Sequence, residues 1–224
     1  MLLRTENLLK KYTLGGNTVT AVNNVSIEIE PQNLTIFRGT SGSGKTTLIN
    51  LMGMLDYPDD GKIWFEDLEI TTLSSRRRDA LRRMKMGFVF QSTALISEMT
   101  AYENVEYKMR ISGIRGAESR KRTMECLESV GLLERAKHFP SELSGGEQQR
   151  VAIARAISHH PSVIFADEPT AQLDSRMSLQ IIRLFLDLVD KEDITVIMTT
   201  HDPEIVDIAH RVYTLKDGGI SDEF

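Results

Sequence analysis

The stretch that most narrows what this chain can fold into is NLTIFRGTSGSGKTTLINLMGML, residues 33–55. A short apolar run rich in β-forming residues enters a glycine-rich turn, and an apolar-periodic run leaves it, which reads as strand, loop, helix. Gly39, Gly44, Lys45 and Thr46 satisfy the G-x-x-x-x-G-K-[ST] spacing of a phosphate-binding loop. A strand that feeds a helix through such a loop belongs to an α/β core.

The residue types explain the chemistry. Glycines let successive backbone N–H groups close around phosphate oxygens, and the start of the helix adds positive dipole charge. Gly39, Thr40, Ser41, Gly42, Ser43, Gly44, Lys45, Thr46 and Thr47 therefore form the candidate cradle. Lys45 supplies a point charge to the outer phosphates, and the Thr46 hydroxyl is placed to ligate Mg²⁺.

Two further apolar runs end in chemistry. PSVIFADEPT reads as a buried parallel strand that reaches the sheet edge at Asp167 and Glu168, where ligands of open α/β sheets bind. Consecutive strand residues face opposite ways, so the pair is expected to divide its labour, Asp167 supporting Mg²⁺ and Glu168 polarising a water. ITVIMTTHDPEIV repeats the pattern and delivers His201 to the same edge, with Asp202 and Pro203 opening the next helix. His138, His159, His160 and His210 have no such placement and read as ordinary surface or core residues.

SELSGGEQQR, residues 141–150, predicts a second anion-binding helix start. Ser144 and Glu147 have capping-box spacing ahead of QQRVAIARAI, and Gly145 and Gly146 leave the first N–H groups bare. The phosphate loop already surrounds one side of the single triphosphate a chain binds. The second site is best explained if it serves the nucleotide of another copy, with two copies packed head to tail.

These segments together resemble the nucleotide-binding subunit of an ABC transporter from about Leu3 to Gly219. GTSGSGKTT, FVFQ, LSGGEQQRVAIARA, VIFADEPT, LD and TTH occur in that family's order and spacing. The resemblance implies an ATPase that uses ATP and Mg²⁺, built as a nucleotide-binding core sheet with an antiparallel β lobe and an inserted helical lobe. It implies that Gln91 senses Mg²⁺ and water, that Ser144, Gly145 and Gly146 act across a dimer, that Asp174 links the two sites, and that His201 contacts the γ-phosphate. Tyr12 by itself reads equally as a sheet-packing residue, and the resemblance implies that it stacks on adenine.

GFVFQSTALISEMTAYENV and HFPSELSGGEQQRVAIARA resemble the branch of lipoprotein-releasing, macrolide-exporting, cell-division and antimicrobial-peptide-exporting ATPases. That branch implies a permease as partner, a position at the cytoplasmic face of the cell membrane, and export or extraction of a lipid, peptide or drug. The chain departs from the family pattern at Gln32-Asn33, where Gly-Glu is frequent, and at Ala171-Gln172, where the branch usually has Gly-Asn.

A single domain is expected, with residues 1–91 and 159–224 forming the core and the antiparallel β lobe, and 92–158 a helical lobe carrying the glycine-opened helix. GKIWFEDLEI reads as part of the β lobe, and LKDGGI as a hairpin turn. Ala94, Leu95, Ile96 and Met99 fit either a permease contact, as the resemblance implies, or the helical core. SSRRRDALRRMK holds five arginines and one lysine against Asp79, without interleaved aromatics, and reads as a solvated helix. A net charge of −5 also argues against a nucleic-acid partner.

No apolar run reaches the roughly eighteen residues of a membrane span, and MLLRTENLLKKY lacks the apolar stretch of a signal peptide. The single cysteine, Cys126, lies in an apolar helical pattern with Met124, Leu127 and Val130 and reads as buried. Two classes compete: a soluble ATPase of the same family acting on DNA or ribosomes, which usually brings a long coiled coil or tandem domains that this sequence lacks, and a scaffold-type ATPase using ATP as an assembly switch, which ATP-dependent partner binding with negligible turnover would mark.

Overall fold

The computed structural model describes residues 1–223. Strands β1 (Leu3–Leu14) and β2 (Asn17–Ile29) form a long antiparallel hairpin, turned by Gly15 and Gly16 at φ 56° and 87°, values that a two-residue turn of this hand requires. The chain then enters a second sheet through β3 (Leu34–Arg38) and leaves it through helix α1 (Lys45–Met52). It returns to the first sheet as β4 (Asp60–Phe65) and β5 (Leu68–Glu69), giving the order β2-β1-β4-β5.

Helix α2 (Ser75–Lys85) leads into β6 (Met86–Val89). Helices α3 (Ala101–Ile111), α4 (Gly116–Ser129) and α5 (Gly145–Ile157) follow, then β7 (Val163–Ala166), α6 (Ser175–Glu192) and β8 (Thr195–Thr200). The short α7 (Pro203–Val206) precedes β9 (Arg211–Lys216) and β10 (Gly219–Glu223), a hairpin turned at Asp217 and Gly218. The second sheet has the order β10-β9-β3-β8-β7-β6, parallel except for β10.

The strands around β3 read as continuous apolar runs because both faces of their sheet are covered. Ile164, Val196 and Met198 pack with Val105, Leu127, Ile153 and Phe185 of the helices. Val163, Phe165 and Ile197 point the other way, toward Leu48 and Met52 of α1 and Leu3, Leu8 and Ile63 of the antiparallel sheet. The period of two thus divides the core into two apolar clusters with the parallel sheet between them. Cys126 is buried as expected, whereas Met124 is exposed on the outer face of α4.

The basic helix α2 differs from its expectation at one position. Arg78 is 2% exposed. Its guanidinium donates to the Met54 and Asp56 carbonyls and lies 3.8 Å from the Tyr57 ring centre, while burial lowers its pKa. This arginine pins α2 to the turn that ends α1. Arg78→Met should strand the Asp56 carbonyl, leave Met54 to Arg82 alone and cost about 2 kcal/mol, lowering the melting temperature by about 4–8 °C in a chain of this size. Thermal unfolding against Arg77→Met, an exposed neighbour, checks it.

Candidate nucleotide site

The phosphate loop joins β3 to α1 in a conformation that demands its glycines. Gly39 and Gly44 have φ 153° and 102°, and a Cβ on Gly44 would meet the Ala21 carbonyl oxygen while one on Gly39 would meet that of Leu215. Gly42, at φ 81°, has open space around it, so the middle of the loop is free to approach a ligand. The Lys45 ammonium is folded back into the loop, donating to the Gly39 and Thr40 carbonyls at 2.8 and 3.1 Å. Ser43, 4% exposed, keeps a hydroxyl with no hydrogen-bond partner.

Strand β7 delivers the acidic pair beside this loop. Asp167 Oδ1 accepts from the Thr46 hydroxyl at 3.0 Å and from the Thr199 hydroxyl at 2.7 Å. The Asp167 amide donates to the Val89 carbonyl at the end of β6. Glu168 Oε1 stands 3.9 Å from Lys45 Nζ and 3.7 Å from His201 Nδ1. Lys45, Thr46, Asp167, Glu168 and His201 are therefore one connected constellation.

The separation of the two carboxylates has a different origin from strand alternation. β7 ends at Ala166, and Glu168 lies beyond it with φ 44°, in the left-handed region. That turn, with the Glu168 amide donating to the Thr199 hydroxyl at 2.8 Å, aims Asp167 at Thr46 and Glu168 at Lys45. His201 follows β8 directly, and Thr200 accepts from the Asp202 amide to shape the turn beneath it. A cleft of about 140 Å³ opens there, lined by Glu168, Thr170, Ser175, Thr200 and His201 among others. Gln91 is exposed, two residues past Val89 on the strand paired with β7.

Tyr12 stands on β1, partly exposed, with its hydroxyl donating to Asp56 Oδ2 at 2.8 Å. Burial and the Asp56 carboxylate raise the Tyr12 pKa, and the Thr47 side chain of α1 lowers it in part. For Asp56 burial acts upward, but hydrogen bonds from Tyr12, the Tyr57 amide and Lys10 outweigh it and leave the pKa lowered. The Tyr12 ring is thus tied beside the first turn of α1.

The glycine-opened helix start is a separate place. Ser144 forms the expected capping box: its hydroxyl accepts from the Glu147 amide, and its own amide donates to the Glu147 carboxylate at 2.8 Å. A capping box alone marks no ligand site, since Thr100 and Glu103 build the same one at α3 without glycines. Gly145 is exposed, with open space where a Cβ would stand, as anion binding needs. Gly146 is not bare: it is buried, and a Cβ there would run into the Met177 side chain of α6. Asp174 caps α6 by accepting from the Met177 amide at 2.9 Å. Gly146 and the Asp174-capped start of α6 therefore touch within one chain.

Sequence reasoning missed three supports of the site: Thr199, Asp56 and the Val89 carbonyl. Only Thr199 left a signal, a hydroxyl interrupting the apolar run ITVIM as it approaches His201.

The residues fit Mg²⁺ and a triphosphate. Thr46 and Asp167 set two hard oxygen donors side by side, the pattern of a cation that shares its remaining sites with phosphate and water. Among the described residues there is no three-residue His/Cys/Asp/Glu group that would hold a metal by itself. No described helix is long and apolar enough to cross a membrane.

Comparison with known proteins agrees with this construction. The ABC transporter family profile matches residues 22–171. An uncharacterised ABC transporter ATP-binding protein of Methanocaldococcus jannaschii, MJ0796, is 40% identical, with 99% of this chain and 96% of that protein covered. A macrolide export ATP-binding/permease protein of Syntrophobacter fumaroxidans is 41% identical over 99% of this chain, which spans 31% of that longer protein. Two solved dimeric structures of MJ0796, one of them in a post-hydrolysis state bound to ADP and Pi, superpose with TM-scores of 0.92 at 38% identity, covering 100% of this chain and 98% of theirs. The chain belongs to the ABC transporter ATP-binding family and has its ATPase fold. It is an ATPase that uses ATP with Mg²⁺.

Proposed function

We propose that this chain is the nucleotide-binding subunit of an ABC transporter, pairing head to tail with a second copy around two ATP and driving a membrane permease at the cytoplasmic face. The observation that carries the reading is the division of the site. The loop, carboxylates and His201 form one constellation, whereas the glycine-opened start of α5 is built for an anion but bonds to its own Glu147. MJ0796, solved as a dimer, and the macrolide export protein, named as ATP-binding and permease together, support the two partners.

In this reading Gly39 to Thr47 cradle the phosphates and Lys45 neutralises the outer ones. Thr46, Asp167 and Gln91 would hold Mg²⁺, which would supply neutralisation of the phosphate charge. Glu168 orients a water and receives its proton as the water oxygen bonds to the γ-phosphorus, while the bond from that phosphorus to the ADP oxygen breaks. His201, 3.7 Å from Glu168, contacts the transferring phosphate. Tyr12 stacks on adenine, and Ser144, Gly145 and Gly146 close on the partner's ATP, with Asp174 in the loop between the two sites.

The permease is assigned to the apolar recess of about 320 Å³ beyond Gln91, whose lining includes Phe90, Ala94, Ile96, Tyr107 and Ile111. Leu95 instead packs on the helical core, so the two readings of that stretch divide residue by residue. Resemblance to exporters makes a lipid, peptide or drug the cargo class. A tagged Glu168→Gln chain, purified from detergent-solubilised host membranes with ATP, is expected to bring down a polytopic membrane protein. Recovery of soluble partners alone, with the chain absent from membranes, would overturn the transporter assignment.

A further inference from the structure

Strand β8 is apolar from Val196 to Met198, yet its next residue is a threonine with 0% exposure. A fully buried hydroxyl is costly unless both its donor and acceptor capacities are used. Both are used here, and both on the acidic pair. Thr199 Oγ1 donates to Asp167 Oδ1 at 2.7 Å and accepts from the Glu168 amide at 2.8 Å.

The two bonds act on different atoms of the site. One restrains the carboxylate that faces Thr46. The other holds the amide of Glu168, whose φ of 44° is a conformation L residues leave unless something fixes it. Strand alternation explains the placement, since Ile197 and Phe165 mark the α1 side of the sheet and Thr199 falls on that side beside Asp167. The Thr46 hydroxyl shares Asp167 Oδ1 but is the group given over to Mg²⁺ in the proposed mechanism. Thr199 touches neither metal nor nucleotide in that scheme, which leaves its bonds to Asp167 and Glu168 intact through turnover.

We propose that Thr199 is a positioning residue for ATP hydrolysis, its hydroxyl tying the Mg²⁺-supporting carboxylate of Asp167 to the backbone of Glu168 so that metal and water keep one mutual geometry. The proposal rests on the assignment of Asp167 to Mg²⁺ and Glu168 to water. It separates Thr199 from residues that only fill the core, because a filler would not alter how activity depends on Mg²⁺.

The test is steady-state ATP hydrolysis by the full chain as a function of free Mg²⁺, with thermal melting alongside, for Thr199→Val, Thr199→Ser, Thr199→Ala and Asp167→Asn. A hydrogen bond to a charged group is worth roughly tenfold or more in the equilibrium it controls. Thr199→Val should therefore raise the half-activating Mg²⁺ concentration and lower kcat by about tenfold each, with KM for ATP at saturating Mg²⁺ within about twofold. Thr199→Ser, which keeps the hydroxyl, should stay near the parent, and Thr199→Ala, nearly the size of Ser, should behave as Val does. Ser and Ala variants of equal activity and equal Mg²⁺ dependence would overturn the proposal, even if the Val chain melts early. If Asp167→Asn shifts the Mg²⁺ dependence and Thr199→Val and Thr199→Ala do not, Thr199 alone loses its role. An unmoved Mg²⁺ dependence in Asp167→Asn would remove the assignment of Asp167 and the proposal with it.

Discussion

Glu168→Gln should lower ATP turnover by about 10²–10⁴-fold, the usual worth of a positioned general base, while leaving ATP binding at the parent level. The substitution keeps the size of the side chain and its reach toward Lys45 and His201, 3.9 and 3.7 Å away in the parent, but removes the carboxylate that takes the proton in the proposed mechanism. Lys45 stays bonded to the Gly39 and Thr40 carbonyls and Thr46 stays beside Asp167, so the cradle is untouched. Phosphate release measures the loss, and nucleotide affinity by fluorescence or calorimetry measures what is retained. Turnover within about threefold of the parent would take the general-base role from Glu168, because loss of a base costs far more than that.

How far the sequence disclosed this site follows from the range of each interaction. The loop was legible because its constraints are local: Gly39 and Gly44 need unusual backbone angles, and strand and helix adjoin them. The capping box at Ser144 was legible for the same reason, as its partner is three residues away. Contacts across long separations were not. Tyr12 meets Asp56 from 44 residues off, and Arg78 meets the Met54 carbonyl from 24, with neither pairing marked by periodicity.

Backbone conformation was the other hidden quantity. The assumption that β7 continues through the acidic pair attributes the divergence of Asp167 and Glu168 to strand alternation, whereas β7 ends at Ala166 and the left-handed Glu168 redirects its side chain. Likewise Gly146 looked bare in sequence and is covered by Met177, a residue 31 positions later, 177 against 146. Side-chain cover over a glycine arises from tertiary packing and leaves no local trace.

That cover makes Gly145 the sharper probe of the proposed dimer. With open space around it, Gly145→Asp needs no rearrangement, and an acid in the first turn suits the helix dipole. The chain should melt at or above the parent temperature. In the head-to-tail arrangement, however, the new carboxylate meets the partner's triphosphate and replaces attraction with repulsion, so hydrolysis should fall roughly 10²-fold or more, as when a site loses a charge-stabilising donor. Lys45→Ala should fall as far, through the opposite half of the composite site. Mixing the two inactive chains then distinguishes sites within one chain from sites between chains. Random pairing makes half the dimers mixed, each with one intact site and one doubly damaged, so turnover should recover to about a quarter of the parent rate if the sites fire independently. Sites contained within single chains have no route to recovery, because every chain in the mixture is already defective. Recovery well above the sum of the separate chains, dependent on total protein concentration, is the expected result. A mixture as inactive as its components would return the α5 start to its own chain.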